Sequence, residues 1–292
     1  MDPAAPGPRP DLTAARRDPT FDVDALDENG QRSTVAIAGE HPLTLYVDRR
    51  ELVTLMTLGQ APEALALGFL RNQRLVDGID EIAAVHVDWE VDAVAVTTRG
   101  GGADFSARTA RRTVTTGCGQ GSVFGGLMDE IDAIRLPQQA RLSQRGLYAL
   151  LDAVRQRETI YKQAGAVHGC ALARCTDGDG DGDDGGDGDG EAASADVLYY
   201  VEDVGRHNAV DAIAGHMWLD RVDGGDKVFY TTGRLTSEMV IKCAQMGVPF
   251  LVSRSGLTEM GYRIARQVGL TMIGRAANTR YLLFTGEERF DR

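Results

Sequence analysis

The last third of the chain alternates short apolar runs with longer segments that have a helical pattern of apolar positions. Short apolar runs predict strands, and the longer segments between them predict helices. This alternation predicts an α/β layered domain. The predicted order is strand 228–230, helix 237–246, strand 249–252, helix 258–268 and strand 270–273.

The earlier part of the chain is rich in strand patterns. A short helical segment lies among the first strands, and a long helical pattern follows further along the chain. The predicted strands are 43–47, 93–97, 171–173 and 197–201, and the predicted helices are 63–70 and about 143–164.

The domain organisation follows from these patterns and from composition. Residues 1–20 are predicted to be disordered, and residues 21–112 to form a strand-rich N-terminal region. Residues 113–292 are predicted to form a C-terminal α/β domain. An Asp/Gly tract interrupts that domain, and we expect a disordered insert at 176–195, because such a composition cannot bury apolar surface.

The Asp/Gly tract also carries much of the charge. The formal net charge is −12, and seven Asp lie at 177–190, so the rest of the chain carries −5. An acidic balance argues against nucleic acid as a partner. The tract opens like a calcium-binding loop, but Gly188 stands at the twelfth position where a bidentate Glu belongs. No metal site is therefore predicted there.

The same composition indicates a compartment. Four cysteines without an evident pairing fit a reducing environment. No apolar run approaches the length of a membrane span, and the N-terminus lacks a basic-then-apolar signal pattern. We therefore expect a cytoplasmic protein that does not associate with membranes.

The first candidate for chemistry is Cys118, which lies in the loop Thr-Gly-Cys-Gly-Gln-Gly-Ser at 116–122. Flanking glycines let the backbone turn sharply and leave the sulfur uncrowded, which suits a thiol that must reach another molecule. From the loop alone, a small residue in a tight turn is an equally good interpretation. Arginines at 108, 111 and 112 precede the loop and would favour the thiolate if they approach it.

A second candidate is the segment Glu-Asp-Val-Gly-Arg-His-Asn-Ala-Val-Asp at 202–211, which follows the apolar run 197–201. A strand that leads into a helix N-terminus can form an anion-binding corner, here with Arg206, His207 and Asn208. The alternative is an ordinary capped helix start, with Asp203 or Asn208 as the cap.

Four stretches together resemble the formate dehydrogenase accessory sulfurtransferase family, FdhD. The resemblance runs from about residue 40 to the C-terminus, apart from the insert, and the stretches occur in the family's order. They are 52–59 with 63–70, the cysteine loop, 202–211, and 233–274.

The resemblance implies a function and a fold. A cysteine of this family accepts persulfide sulfur from a cysteine desulfurase and passes it to the molybdenum or tungsten bis-pterin guanine dinucleotide cofactor of formate dehydrogenase. It thus implies a sulfurtransferase with Cys118 as the catalytic residue, formate dehydrogenase or a related molybdoenzyme as a partner, a homodimer, and a cytidine-deaminase-like C-terminal domain. It also implies a cofactor-binding loop, whose residues here are Arg275, Ala276, Ala277, Asn278, Thr279 and Arg280. Without the resemblance, a polar hairpin is the favoured interpretation of that loop.

The chain departs from the family at one position. The usual loop has two cysteines, spaced C-x-x-C, and Gly121 stands at the second position here. Persulfide carriage needs one nucleophilic sulfur, but any step with a resolving thiol is in doubt. The alternative function is therefore a chaperone that binds the cofactor without transferring sulfur. A zinc deaminase is disfavoured, because His168-Gly169-Cys170 lacks the required Glu and the chain has no C-x-x-C.

Overall fold

The structure, a computed structural model, describes residues 7–100, 131–177 and 192–292. These residues contain both β-sheets and α-helices. Within these residues the strands form a five-stranded sheet, a six-stranded sheet and two two-stranded sheets. The predicted α/β class is therefore confirmed, and the cytidine-deaminase-like description stays a prediction.

The elements of the described residues are numbered in chain order. The strands are β1 (Asp11–Leu12), β2 (Thr20–Leu26), β3 (Arg32–Ala38), β4 (His41–Val47), β5 (Arg50–Thr57), β6 (Ile82–Asp88), β7 (Ala93–Thr98), β8 (Leu142–Ser143), β9 (His168–Thr176), β10 (Ser194–Asp203), β11 (Val228–Thr231), β12 (Phe250–Ser253), β13 (Thr271–Ala277), β14 (Arg280–Thr285) and β15 (Phe290–Asp291). The helices are α1 (Pro62–Asn72), α2 (Gln144–Arg157), α3 (Ile160–Ala164), α4 (Arg206–Leu219), α5 (Ser237–Gln245) and α6 (Glu259–Val268).

The described residues fall into two compact units that alternate along the chain. The first unit contains the described part of Met1–Gly126 together with Ile160–Val167 and Asp203–Val222. The second contains the described part of Leu127–Thr159 and of His168–Glu202, together with Asp223–Arg292. The predicted domain boundary at residue 112 lies outside the described residues and stays a prediction.

The first unit is built on a five-stranded sheet in the order β1-β6-β7-β4-β5. Strand β4 pairs antiparallel with β5 and parallel with β7, and β1 adds a short parallel edge to β6. Leu43, Leu45 and Val47 alternate along β4 and are fully buried. This period of two places one face of the strand on the core, as the apolar pattern predicts.

Helices α1 and α4 of the first unit pack at unusually close range. A Cβ atom added at Gly68 of α1 would lie 1.6 Å from the carbonyl oxygen of Asp211, and one added at Gly215 of α4 would lie 1.9 Å from the carbonyl oxygen of Ala64. Only glycine allows the two backbones to approach this closely. Helix α4 is buried along nearly its whole length, which fits a helix without a polar face.

A two-stranded ribbon of β2 and β3 has an exposed apolar face. The antiparallel register pairs Phe21 with Ile37 and Val23 with Val35, so these four side chains lie on one face. Phe21 is 65% exposed, Ile37 43% and Val35 40%. An isolated ribbon of this kind is marginally stable in water, and its apolar face is a candidate contact surface.

The second unit is built on a six-stranded sheet in the order β10-β9-β11-β12-β13-β14. Strands β11, β12 and β13 are parallel, whereas β9 and β14 run antiparallel to their neighbours β11 and β13. Strands β11 and β12 are buried at every position, as expected for central parallel strands.

Helix α2 covers part of the second unit's core. Its buried residues Leu147, Leu150, Leu151 and Val154 recur at helical spacing, so one side of the helix faces the apolar cluster that includes the sheet. Ser143 caps the N-terminus of the helix, and its hydroxyl accepts a 2.9 Å hydrogen bond from the backbone N–H of Gly146. This is the capping interaction that serine favours at a helix N-terminus.

The predicted single helix at 143–164 is wrong, because the structure has α2 and α3 with a break between them. Glu158 has an extended backbone conformation (φ −61°, ψ 115°). Both the backbone N–H and the hydroxyl of Thr159 donate to Glu202 Oε2, at 3.1 and 2.9 Å. A carboxylate from a distant strand thus replaces the helical partner, and a local apolar pattern cannot show this.

The predicted disorder at 1–20 does not extend to residues 11–17. Strand β1 pairs with β6, and the backbone N–H of Ala15 donates to Glu63 Oε1 at 2.9 Å. The Arg17 guanidinium donates to the carbonyl oxygen of Trp89 at 2.8 Å and lies 5.3 Å from its ring centroid. These partners are distant in sequence, so composition alone could not reveal them.

The insert is shorter at both ends than predicted. Strand β9 continues to Thr176 and β10 begins at Ser194, and the hydroxyls of these two residues are 2.9 Å apart. The centre of the insert lies outside the described residues. The other predicted strands and helices are confirmed, with bounds that differ by one to a few residues.

Candidate functional site

The predicted binding loop forms the turn between β13 and β14. Arg275 and Asn278 both have left-handed backbone conformations, with φ values of 51° and 53°, and Asn tolerates this region better than most residues. Ala276 is buried, and the other five residues of 275–280 are exposed. The polar hairpin is therefore present, and the loop's exposed residues leave it open to a ligand.

Four residues of this loop line a cavity of about 440 Å³ in the second unit. That volume is within the ~300–1,000 Å³ that small-molecule sites usually have. Helix α2 and the carboxyl ends of β11 and β12 supply the other walls. The lining residues are Tyr148, Leu151, Asp152, Arg155, Glu158, Tyr230, Arg254 and the loop residues Ala276, Ala277, Asn278 and Thr279.

Two ion pairs lie in the cavity wall and differ in exposure. Arg254 Nη1 is 3.0 Å from Glu158 Oε1, and these side chains are 34% and 12% exposed. Arg155 Nη2 is 2.6 Å from Asp152 Oδ1, with exposures of 64% and 51%. Water screens the second pair much more than the first. The Glu158–Arg254 pair is therefore the more strongly interacting of the two.

Two tyrosines add aromatic surface and hydroxyl groups to the cavity. The Tyr148 hydroxyl donates to the carbonyl oxygen of Thr279 at 3.1 Å, which ties α2 to the turn of the binding loop. Tyr230 is buried, and this burial raises the pKa of its hydroxyl to about 12. It is therefore a protonated hydrogen-bond donor at neutral pH.

The two arginines of the binding loop are outside the cavity lining. Arg275 and Arg280 are exposed, and the backbone N–H of Arg275 donates to the carbonyl oxygen of Ser255 at 2.9 Å. The structure thus brings residues 276–279 into the cavity wall and leaves the two arginines at the ends of the loop.

The second predicted set, Arg206, His207 and Asn208, lies in the first turn of α4 in the first unit. All three residues are less than 10% exposed. The Asn208 side chain donates to the carbonyl oxygen of Met56 at 2.5 Å and to Asp203 Oδ1 at 2.8 Å. Asn208 therefore has a structural role, and the binding role of the three residues stays a prediction.

Asp203 is the centre of a buried hydrogen-bond network in the first unit. Its Oδ2 accepts from the Thr57 hydroxyl at 2.5 Å and from the backbone N–H of Leu58 at 3.1 Å. Its Oδ1 accepts from the backbone N–H of Gly205 at 3.0 Å, in addition to the Asn208 amide. Gly205, not Asp203 or Asn208, is the N-cap residue of α4. Burial raises the pKa of the Asp203 carboxyl, although each of these hydrogen bonds favours the ionised form.

The predicted catalytic residue Cys118, with the preceding arginines and Gly121, lies outside the described residues. The three cysteines of the described part are poor nucleophiles. Cys170 and Cys243 are fully buried, and burial raises the pKa of the Cys243 thiol. Burial, with a smaller effect of Asp177, raises the pKa of the Cys175 thiol to about 12. Thiols with raised pKa values are inert, because the thiolate is the reactive form.

Seven residues of the cavity wall were not predicted from the sequence, namely Tyr148, Leu151, Asp152, Arg155, Glu158, Tyr230 and Arg254. Tyr230 and Arg254 lie at the carboxyl ends of predicted strands, where α/β sheets bind ligands, so their position was a usable signal. Tyr148 and Glu158 belong to α2 and its end, and nothing in the local pattern distinguishes them from surface residues.

Two further findings concern metals and membranes. Among the described residues, no group of three His, Cys, Asp or Glu side chains is placed to hold a metal ion. His168 lies at the start of β9, with Nδ1 3.4 Å from the Thr232 hydroxyl. In the same part of the chain, no helix combines the length and apolar character that a membrane span needs.

Comparison with known proteins identifies similar sequences and a similar fold. The model of the FdhD/NarQ family matches residues 38–180 and 190–291. A protein from Listeria innocua named sulfur carrier protein FdhD is 28% identical over 257 residues, which cover 87% of this chain and 91% of that protein. One of the same name from Bacillus subtilis is 28% identical over 264 residues, which cover 90% and 94%. A similar fold is found in the crystal structure of a protein from Desulfotalea psychrophila that is provisionally named a formate dehydrogenase accessory protein. The TM-score is 0.68 and the sequence identity 24%, and the match covers 93% of this chain and 98% of that chain.

Proposed function

The chain belongs to the FdhD/NarQ family, and on that premise we propose that it is a sulfur carrier whose persulfide forms on Cys118. The sulfur comes from a cysteine desulfurase. It passes to the molybdenum or tungsten bis-pterin guanine dinucleotide cofactor that a formate dehydrogenase or related molybdoenzyme needs. The protein is thus a sulfurtransferase of molybdenum cofactor biosynthesis, and similar proteins from Listeria and Bacillus are named sulfur carriers.

The observation that carries the proposal is that the other described cysteines have buried sulfurs or a thiol with a raised pKa. Cys170 and Cys243 are fully buried, and the pKa of the Cys175 thiol is raised to about 12. Burial makes the sulfurs of Cys170 and Cys243 inaccessible, and the raised pKa of Cys175 leaves little thiolate at neutral pH. Cys118, between two glycines, is the remaining candidate for the carrier.

The first step needs no group beyond the donor and Cys118. The Cys118 thiolate attacks the outer sulfur of the donor persulfide, and a new bond joins the two sulfurs. The bond between the donor's two sulfurs breaks, and the donor cysteine leaves as a thiolate. The proton on the outer sulfur stays on that sulfur as it moves to Cys118, so atoms and electrons balance. A single loop cysteine is sufficient, and Gly121 does not prevent this step.

The test is a sulfur-loading assay. The protein is incubated with a cysteine desulfurase and cysteine, and its intact mass is measured. We expect a gain of one sulfur that maps to Cys118 and disappears in Cys118→Ser. Cys175→Ser is the matched control and should load normally. Loading that survives in Cys118→Ser, or no loading at all, would contradict the proposal.

The second candidate function is a cofactor chaperone without sulfur transfer, which the missing second cysteine favours. The two functions differ in what Cys118→Ser does to the activation of a formate dehydrogenase. Sulfur transfer predicts that cofactor binding persists and activation is lost. A chaperone predicts that both persist.

The proposal assigns cofactor binding to two sets of residues, the loop 275–280 with its cavity in the second unit and Arg206, His207 and Asn208 in the first unit. The cavity supports the first part, because it combines aromatic surface, ion pairs and loop backbone. The exposed Arg275 and Arg280 can pair with phosphate oxygens through their forked guanidinium groups. The residues of α4 rest on the family resemblance.

A homodimer is the last part of the proposal, and the apolar face of the β2–β3 ribbon supports it. That face has no charged residue among its three directly paired positions, as in the core of homodimer interfaces. We expect Phe21→Asp to halve the mass measured by light scattering. Val91→Asp changes an equally exposed apolar residue (69%) elsewhere in the first unit and should leave the mass unchanged. A dimer that tolerates Phe21→Asp would exclude this face.

A further inference from the structure

A short segment near the N-terminus connects several elements of the first unit. We call residues 9–17 the N-terminal strap; they contain β1, which pairs with β6. The FdhD/NarQ family model matches residues 38–180 and 190–291, so the strap lies outside the matched ranges. The strap also has no part in the proposed sulfur transfer.

Three alternate backbone N–H groups hold the strap, and each donates to a different part of the first unit. The N–H of Thr13 donates to a carbonyl oxygen of β6 at 3.3 Å. The N–H of Ala15 donates to Glu63 Oε1, in the first turn of α1, at 2.9 Å. The N–H of Arg17 donates to the carbonyl oxygen of Gly59 at 3.0 Å. The strap thus joins a sheet edge, a helix and the turn between β5 and α1.

Little buried apolar surface keeps the strap in place. Pro10 is its one buried residue. Arg9 pairs with Asp220 at 3.2 Å and Arg17 with Asp92 at 3.4 Å, and all four side chains are more than a third exposed. Exposed pairs of this kind contribute little to stability in water. A segment with few buried apolar contacts opens at a lower free energy than the core of its domain.

Arg17 is the main anchor of the strap. Its guanidinium donates to the carbonyl oxygen of Trp89 at 2.8 Å and lies 5.3 Å from the ring centroid of the same residue. Its own carbonyl oxygen accepts from the side-chain amide of Gln60. A Cβ atom added at Gly59 would lie 2.9 Å from the Arg17 Cβ and 3.1 Å from the Trp89 ring. The anchor therefore packs tightly against the turn at 57–60.

The turn that the strap contacts is continuous with the hydrogen bonds of Asp203. The N–H of Gly59 donates to the Thr57 hydroxyl at 3.2 Å, and this hydroxyl donates to Asp203 Oδ2 at 2.5 Å. The N–H of Leu58 donates to the same carboxylate oxygen at 3.1 Å. The other oxygen of Asp203 accepts from the Asn208 side chain in the first turn of α4. An unbroken chain of hydrogen bonds thus runs from the strap to α4.

From these contacts we propose that the strap is a detachable clamp on the turn at 57–60. It opens as one unit while the core of the first unit stays folded. Its opening loosens the turn and the hydrogen bonds of Asp203, and thereby the start of α4 with Arg206, His207 and Asn208. Contiguous networks of this kind can transmit a local change. The coupling does not depend on which ligand these residues of α4 bind.

The test is residue-resolved hydrogen exchange of the full chain, with and without Arg17→Ala. The amides of Thr13, Ala15 and residue 17 have three different acceptors, so a strap that opens as one unit gives them one common opening free energy. Alanine removes the guanidinium that donates to Trp89. We expect all three amides to exchange faster by the same factor of about 10- to 100-fold, the usual effect of losing a hydrogen bond from a charged group.

The coupling to α4 is tested at the two backbone amides that donate to Asp203, those of Leu58 and Gly205. We expect Arg17→Ala to accelerate their exchange by about 2- to 30-fold. The amide of Leu45, which is fully buried in β4, should exchange more slowly than all of these amides in both proteins. That difference would show that the openings are local and that the variant is folded.

Two further variants complete the experiment. Arg16→Ala is the matched control, because Arg16 is the exposed neighbour of the anchor, and it should leave the rates unchanged. Arg17→Lys keeps a donor and a positive charge near the Trp89 ring and should restore most of the protection. Acceleration confined to residue 17, or unchanged exchange at Leu58 and Gly205 in Arg17→Ala, would overturn the inference. Strap amides that exchange as slowly as Leu45 in the unchanged chain would also overturn it, because the strap would then open only with the core.

Discussion

Asp203→Ala is expected to destabilise the first unit, because this carboxylate joins the end of β5 to the start of α4. Its two oxygens accept four hydrogen bonds, and its side chain is almost fully buried. Alanine removes all four acceptors at once. The Thr57 hydroxyl can rotate to another partner. The donors of Leu58, Gly205 and Asn208 are fixed by the backbone or by a second hydrogen bond.

The magnitude follows from these three donors. A buried donor left without an acceptor costs about 1–3 kcal/mol, so three set an upper range of about 3–9 kcal/mol. Two effects reduce this figure. Water can enter the space that the carboxyl group leaves, and the desolvation that raises the pKa of Asp203 is relieved. We therefore expect a loss of about 2–4 kcal/mol, or roughly 4–16 °C in the thermal midpoint.

The assay is urea unfolding at fixed protein concentration, followed by circular dichroism and by a thermal scan. Glu287→Ala is the control, since it removes an acid that is 82% exposed and pairs with Arg292 at 3.4 Å. Its effect should stay within about 0.5 kcal/mol. A loss below about 1 kcal/mol in Asp203→Ala would refute the structural role.

Three further predictions concern packing, pH and thiol reactivity. Gly68→Ala and Gly215→Ala should each lower the free energy of unfolding by about 1–3 kcal/mol in urea titrations, because the new Cβ meets a backbone carbonyl of the opposite helix. An unchanged free energy of unfolding would contradict the close contact. Burial lowers the pKa of His216 below its usual 6.5. As the pH drops below about 6.5, the unfolded chain therefore binds a proton before the folded chain does, and the free energy of unfolding falls. His216→Gln should reduce this pH dependence, and an unchanged pH profile in the variant would contradict the prediction. Cys175 and Cys243 should react with iodoacetamide at pH 7.5 much more slowly than in the unfolded chain, as read by peptide mass; equal rates would show that their thiols are accessible and ionised.

The sequence predicts best where structure depends on near neighbours. The alternation from residue 228 to 273 is confirmed almost residue by residue, because each strand there is a short apolar run and each helix has apolar positions at helical spacing. Thr258 also accepts a 3.2 Å hydrogen bond from the backbone N–H of Gly261 at the start of α6. Such signals lie within four residues of the element they define.

The sequence fails where a distant side chain decides the local conformation. The break between α2 and α3 depends on Glu202, which is 43 residues from Thr159. The ordered segment before β2 depends on Glu63 and Trp89, which are 48 and 72 residues from their partners. Each of these contacts joins residues that are far apart in sequence, so the local pattern carries no sign of the contact.

The cavity is an intermediate case, because the sheet topology predicts one wall and not the other. Tyr230 is the second-last residue of β11, Arg254 directly follows β12, and Ala276 and Ala277 end β13. These three strands are parallel neighbours, so their carboxyl ends must lie side by side at one edge of the sheet. Once the strand order is known, these residues are expected to share a site. The opposite wall comes from α2, whose Glu158 and Tyr148 reach the edge only because the buried stripe of that helix docks on the sheet. The second wall of the cavity therefore depends on a contact between elements, which only the folded structure shows.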